Sequence, residues 1–140
     1  MTIHGIDDAV IFAARLFLAA LFLIFGWRKL QDYSGTVNQM ARDGLPMPRL
    51  VAVIATFMEI PVAFAVFAGA FTRPSAVLLA FYTLGTSLIE HRYWTVAGAD
   101  RLEVMESFYK NLSITGGFLL LFVSGAGKYS IDALYGLGAP

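Results

Sequence analysis

The sequence predicts an all-α integral membrane protein: a single domain over residues 1–140 that forms a bundle of four transmembrane helices. Two observations predict this class. The chain is 58% hydrophobic and only 14% charged, whereas soluble domains average about 25% charged residues. Its apolar residues also fall into four long runs, more than a soluble chain of 140 residues can bury. We therefore expect lipid to cover much of the surface.

The first two apolar runs are long enough to cross a bilayer alone. A helix rises 1.5 Å per residue, so about 20 residues span a hydrocarbon core of about 30 Å. The runs predict helices over residues 8–27 and 50–71. The first run follows Asp7 and Asp8 rather than the basic residues that lead a signal peptide, so we expect it to remain as a helix.

The third and fourth runs are shorter and need flanking residues to span. They predict helices over residues 74–91 and 108–125. Glu90 and His91 close the third helix, and Asn111 is expected to cap the start of the fourth. Gly116 and Gly117 favour close packing of the fourth helix against a neighbour.

The distribution of Lys and Arg predicts the orientation. The 28–49 and 90–111 connections together hold seven of these residues, whereas the other side holds only Arg73 and Lys128. Because short cytoplasmic loops are enriched in Lys and Arg, these two connections are predicted to be cytoplasmic. Both chain termini are then non-cytoplasmic.

Two charged residues fall at membrane depth, Arg15 and Glu59. Such a residue costs at least about 2.5–3.5 kcal/mol on insertion scales, so each needs a reason. Counted along ideal helices, the two lie about 7 Å apart in depth, which an arginine side chain can span. One interpretation is therefore a buried Arg15–Glu59 ion pair. The other is a Glu59 that exchanges protons in a relay or a quinone pocket.

Pro61 bears on the second interpretation. A proline inside a helix removes a backbone donor and bends the helix. We expect a kink here that opens space beside Glu59 for a water molecule or a ligand head group.

A second polar cluster is predicted at the cytoplasmic edge, from Lys29, Glu90, His91, Lys110 and Asn111. His91 has the side chain that titrates near neutral pH, so proton exchange is one role for it. An interfacial histidine hydrated by water is the other, and the sequence leaves both open.

The composition excludes several classes of site. With no cysteine, the chain has no disulfide, iron–sulfur cluster or thiol nucleophile of its own. Two histidines argue against an intrinsic haem, and no metal motif or self-contained catalytic motif is present. Ten basic residues balance ten acidic ones, so nucleic acid is not an expected partner. Whether the chain is an enzyme stays open.

Short motifs spread over nearly the whole chain carry a family resemblance. They are Arg15, Gly26–Leu30, Gly44–Pro48, Glu59, Gly69–Pro74, Phe108–Asn111, Gly116–Gly117 and Gly125–Asp132. In this order and spacing they resemble the DoxX family, small four-helix proteins of the bacterial inner membrane. Since the family takes its name from a subunit of a thiosulfate:quinone oxidoreductase, the resemblance implies a membrane setting and a redox connection.

Three functions are consistent with these features. The leading one is an accessory or anchoring subunit of a redox or quinone-linked membrane complex, assembled with other subunits or as a homo-oligomer. An alternative is a quinone-dependent oxidoreductase component in which Glu59 and Arg15 line the pocket. Either oxidoreductase role needs a bound quinone or a partner that carries the cofactor. A third is an oligomeric transporter of protons or small solutes.

Overall fold

The computed structural model describes residues 3–137, and every regular element among them is helical. The first helix, α1, spans Ile3–Gln31. It continues past the predicted end at residue 27, because no proline or glycine follows Gly26 within it and the residues there favour helix. Arg28 and Lys29 therefore lie in its last turn rather than in a loop.

A short helix, α2, spans Tyr33–Arg42 in what was predicted to be a connection. Asp32 caps its start by accepting a hydrogen bond from the Gly35 N–H at 3.1 Å. Met40 is buried against Ala52 and Ala55 of the next helix. This small apolar cluster holds α2 to the bundle.

The second long apolar run forms one helical stretch with an irregular centre. It comprises α3 (Pro48–Phe57), a π-helical turn over Met58–Val62, and α4 (Ala63–Ala68). Gly69 ends it in the left-handed conformation, with φ of 73°. The predicted helix over residues 50–71 is thus correct in outline but ends earlier.

The second half of the chain contains two long helices and two short elements. Helix α5 spans Thr72–Glu90, close to the predicted 74–91, and a 3₁₀ turn follows at Tyr93–Thr95. Helix α6 spans Asp100–Ser124, and α7 spans Ile131–Tyr135. The prediction that Asn111 caps a helix is wrong, because the stretch from Asp100 to Lys110 has no glycine or proline and α6 runs straight through it.

The bundle buries small and aromatic side chains from all four long stretches. Helix α1 packs against α4 and the π-helical turn, and α5 packs against α6. The core consists of Ala19, Phe22, Met58, Val62, Ala63, Val66, Ala76, Leu79, Ala80, Phe118 and Leu121. Large apolar side chains also cover the outside: Phe17, Phe81 and Leu120 are each at least 70% exposed. Such an exterior is expected of a surface that faces lipid.

Two stretches, Gly5–Gln31 and Pro48–Ala68, are long and apolar enough to cross a membrane. Helices α5 and α6 have 19 and 25 residues but a more polar composition. In α5 the polar side chains of Thr72, Ser75, Thr83 and Ser87 are buried inside the protein. The count of four spans therefore stays a prediction.

Candidate functional site

Glu59 lies in the π-helical turn, where Pro61 interrupts the regular hydrogen bonding. The Ala63 N–H donates to the carbonyl of Met58, five residues back, as in a π-helix. The chain thus accommodates the proline by widening one turn. Such turns occur frequently at functional sites.

Gly26 of α1 brings the two helices into close contact at this turn. A Cβ atom at residue 26 would lie 2.9 Å from the Cβ of Glu59 and 2.9 Å from Cγ1 of Ile60. Only glycine permits this approach, because real Cβ contacts are not this short. The contact fixes Glu59 at the level of Gly26, within one helical turn of Lys29.

Lys29, and not Arg15, is the ionic partner of Glu59. Its Nζ lies 2.8 Å from Oε1 and 2.7 Å from Oε2 of the carboxylate. The Glu59 side chain is 6% exposed and that of Lys29 is 34% exposed. The predicted Arg15–Glu59 ion pair is therefore absent.

The reason for the error is the length of α1. Glu59 lies level with Gly26, eleven residues from Arg15, so the two differ in depth by about 16 Å rather than about 7 Å. If α1 ended at residue 27, as predicted, Lys29 would lie in a loop after the helix and not in its last turn.

Tyr82 of α5 completes the arrangement around Glu59. Its hydroxyl donates to Oε2 at 3.2 Å, so Glu59 receives hydrogen bonds from two other helices. Nothing in the sequence marked Tyr82, which lies in an ordinary apolar run. A search for polar groups within about three turns before Glu90 on the same helix would have found it.

These residues form one wall of a cavity of about 670 Å³, which we call the Glu59 cavity. The predicted cytoplasmic-edge cluster lines the same cavity, so the structure brings the two predicted sites together, without Arg15. Its polar lining comprises Lys29, Glu59, Tyr82, Thr83, Thr86, Glu90, His91, Ser107, Lys110 and Asn111. The apolar lining includes Leu21, Phe22, Phe25, Met40, Val51, Ile54, Ala55, Ile89 and Ile114.

Arg15 instead lies near the other end of the bundle, where it joins α1 to the C-terminal segment. Its Nη1 donates to the Ala126 carbonyl at 3.1 Å, and its Nη2 donates to the Tyr129 carbonyl at 2.6 Å. The side chain is 1% exposed. Gly69 leaves room for the guanidinium, since a Cβ there would overlap Nη1. This role is structural.

Asp132 holds the same end from the other side. Its two carboxylate oxygens accept from the N–H groups of Phe71 and Thr72, at 2.7 and 2.9 Å, and so cap α5. Phe71 adopts a left-handed φ of 47°, an unfavourable conformation for a bulky residue. The sequence contained Asp132 only as a family motif, and its capping role depends on contacts 60 residues away along the chain.

Aromatic side chains cluster next in sequence to the cavity residues His91, Ser107 and Lys110. Tyr93, Trp94, Phe108 and Tyr109 form edge-to-face and tilted pairs with centroids 5.3–6.0 Å apart. The hydroxyls of Tyr93 and Tyr109 are 3.4 Å apart, and this hydrogen bond raises the pKa of Tyr93 above its ordinary value. Amphipathic rings such as these suit the head-group level of a membrane.

The DoxX family model matches residues 10–92, which contain most of α1, all of α2 to α5 and the Lys29–Glu59–Tyr82 contacts. The chain belongs to the DoxX family. The family predicted from the short motifs is thus confirmed, over a stretch that ends before Lys110 and Asn111.

Two relatives from Escherichia coli (strain K12) extend the match. The chain is 49% identical over 119 residues to inner membrane protein YphA, covering 85% of each chain. It is 37% identical over 129 residues to inner membrane protein YqjF, covering 92% of this chain and 94% of the relative. No solved structure matches the chain significantly.

Proposed function

We propose that this DoxX-family protein is a four-span inner-membrane subunit that binds a quinone-class ligand in the Glu59 cavity and serves a redox partner. The names of the two relatives support the inner membrane as its location. The apolar exteriors of α5 and α6 support two further spans, since both helices expose leucine and phenylalanine while α5 buries its polar side chains.

The observation that carries the proposal is the chemistry of the Glu59 cavity. Its volume of about 670 Å³ lies within the range of about 300–1,000 Å³ typical of sites for small ligands. Apolar side chains form much of its lining, and polar groups from α1, the π-helical turn, α5 and α6 form the rest. A ligand with an apolar body and a few carbonyl or hydroxyl oxygens fits this combination.

Lys29 and Tyr82 supply the groups that would orient such a ligand. An ammonium has three N–H donors, and Glu59 accepts from at most two of them. The remaining N–H of Lys29 can donate a hydrogen bond to a quinone carbonyl. The Tyr82 oxygen can accept one from a quinol hydroxyl. When bound, a quinone would supply the electron-accepting chemistry that the side chains lack.

In this proposal the protein supports a redox partner and does not carry a redox centre of its own, because its composition lacks the ligands for one. With no cysteine, iron–sulfur ligation falls to a partner subunit. Two-electron reduction of a quinone also takes up two protons, and two ionisable lining residues, the exposed Glu90 and the half-buried His91, can exchange them with water. His91 and Glu90 have this role in the proposal.

The test is a titration of the full-length protein in lipid nanodiscs with a short-tailed ubiquinol under anaerobic conditions, followed by quenching of tryptophan fluorescence. Tyr82→Phe should weaken binding about tenfold because it removes a hydroxyl inside the cavity. Tyr109→Phe is the matched control: it removes a tyrosine hydroxyl outside the cavity and should leave the affinity unchanged. Equal affinities for both variants, or no saturable binding by the unmodified protein, would refute the proposal.

A further inference from the structure

A second cavity, of about 430 Å³, lies at the Arg15 end of the bundle, opposite to the Glu59 cavity. It lies where the start of α5 meets the Gly125–Gly127 turn and α7, and we call it the Arg73 cavity. Its lining includes Thr72, Arg73, Gly125 and Asp132. It shares no lining residue with the Glu59 cavity.

Two polar side chains of this cavity lack a partner among the described residues. Thr72 is 1% exposed, and its Oγ1 makes no hydrogen bond. Within residues 3–137, the Nε of Arg73 is also buried without a hydrogen-bond partner, and its guanidinium forms no ion pair. Buried polar groups are nearly always paired, so two such groups at one cavity indicate a missing partner.

The charge at the cavity favours an anionic partner. Both Asp132 oxygens are already engaged by backbone N–H groups, and its charge lies close to the buried Arg15. Among the described residues that line the cavity, Arg73 therefore remains as the charge without a counter-ion. It stands in the first turn of α5, a helix of 19 residues whose dipole also attracts anions at this end.

The turn at residue 125 holds Arg73 in place. Gly125 has a φ of 74°, and a Cβ there would lie 3.2 Å from both Nε and Nη2 of Arg73. A larger residue would push the guanidinium away from the cavity. The fork of an arginine matches the oxygens of a phosphate, and a threonine hydroxyl donates one further hydrogen bond.

We propose that the Arg73 cavity binds a phosphate group through Arg73 and Thr72. Two sources have this chemistry: the head group of a phospholipid in the adjacent leaflet and free inorganic phosphate. The apolar side chains of Phe71, Pro74 and Leu137 border the same cavity and can contact the glycerol and acyl portion of a lipid.

The test measures the thermal stabilisation of the purified full-length protein in detergent by short-chain phosphatidylglycerol and, separately, by inorganic phosphate. The apparent affinity should fall about tenfold in Arg73→Gln and by a smaller factor in Thr72→Val. Lys128→Gln removes an exposed basic residue of the same end that does not line the cavity, and this variant should bind as the unmodified protein does. Arg73→Lys keeps the charge but loses the planar fork, so its affinity should be intermediate.

Stabilisation by the lipid alone identifies a head-group site, and equal stabilisation by inorganic phosphate identifies a free-phosphate site. The proposal is overturned if neither ligand stabilises the unmodified protein, or if Lys128→Gln loses as much affinity as Arg73→Gln. Should Arg73→Gln fail to fold, Thr72→Val decides the question because it changes one hydroxyl at constant shape. Quinone binding in the Glu59 cavity is not required for any of these outcomes.

Discussion

Both carboxylate oxygens of Glu59 accept hydrogen bonds, and these bonds determine the position of the side chain. Lys29 contacts Oε1 and Oε2, and Tyr82 adds a hydrogen bond to Oε2. A carboxylate held in this way is compensated in charge and restrained in position. In the proposed function it orients Lys29 and Tyr82 toward a ligand. Glu90 and His91 exchange protons with water.

The pair predicts strong energetic coupling between Lys29 and Glu59. Removing one partner of a fully buried pair costs about 3–5 kcal/mol. Because a third of the Lys29 side chain is exposed, we expect about 2 kcal/mol for Lys29→Met. The double change Lys29→Met/Glu59→Gln should recover much of this loss, since it removes both charges. Denaturation of the purified variants in detergent measures the coupling.

Arg15 supplies the matched control for this cycle. Arg15→Met should also destabilise the protein, because the carbonyls of Ala126 and Tyr129 lose their donors. Its effect should add to that of Glu59→Gln within about 0.5 kcal/mol, as for distant sites. Coupling between Arg15 and Glu59, with none between Lys29 and Glu59, would contradict the observed pairing.

At the scale of the helices, the close contact of α1 with the π-helical turn sets the geometry of the Glu59 cavity. The turn projects Glu59 toward α1. Gly26 allows the close approach of the two helices, which places Nζ of Lys29 2.7 Å from Oε2 of Glu59. The sequence could not reveal this contact, because the two apolar runs would have the same composition whether or not the helices touched at Gly26.

This contact predicts that two glycine substitutions change the stability of the protein differently. Gly26→Ala should destabilise the protein by about 2 kcal/mol, since the new methyl group would overlap Glu59 and Ile60. Gly116→Ala adds the same group to a helical site with no atom within 4 Å. It should be neutral or stabilise by up to about 1 kcal/mol through helix propensity. Thermal melts of the two variants in one detergent provide the comparison.

The four long helical stretches were predictable because each depends on local composition. The ends of the helices were harder to predict. Both α1 and α6 extend beyond their apolar residues, because charged residues such as Lys29 and Glu103 continue a helix as well as apolar ones do. The partner of Glu59 depended on those ends. An error of about 9 Å in the relative depth of Arg15 and Glu59, less than two helical turns, was enough to assign Arg15 in place of Lys29.

The glycine pair of α6 shows the same limit at a smaller scale. Both glycines were predicted to mark a packing face. Only Gly117 does so, with a Cβ position 3.1 Å from Leu18, whereas Gly116 faces open space. Residue type alone does not reveal which of two neighbours on a helix points toward its partner.

At the scale of the whole molecule, the orientation in the membrane can be tested directly because the native chain contains no cysteine. We expect a membrane-impermeant maleimide to label Lys128→Cys on intact cells but not Ser34→Cys or Ala97→Cys. All three positions are exposed in the structure. Labelling of all three after lysis is the control for reactivity.

Ala97 distinguishes the number of spans in the same experiment. If only α1 and the α3–α4 stretch crossed the membrane, residues 97 and 128 would share the non-cytoplasmic side and both would be labelled. Protection of Ala97→Cys with labelling of Lys128→Cys requires α6 to cross as well. The reverse pattern at all three positions would overturn the predicted orientation.

The contacts of Arg15 also impose an order on the making of the protein. Its two carbonyl acceptors lie 111 and 114 residues later in the chain, so the ribosome adds them long after α1. Until then the nascent α1 carries a positive charge whose final partners do not yet exist. A chain that stops before Ala126 keeps that charge unmatched. Synthesis through Tyr129 therefore supplies both acceptors that the buried guanidinium of Arg15 uses in the folded protein.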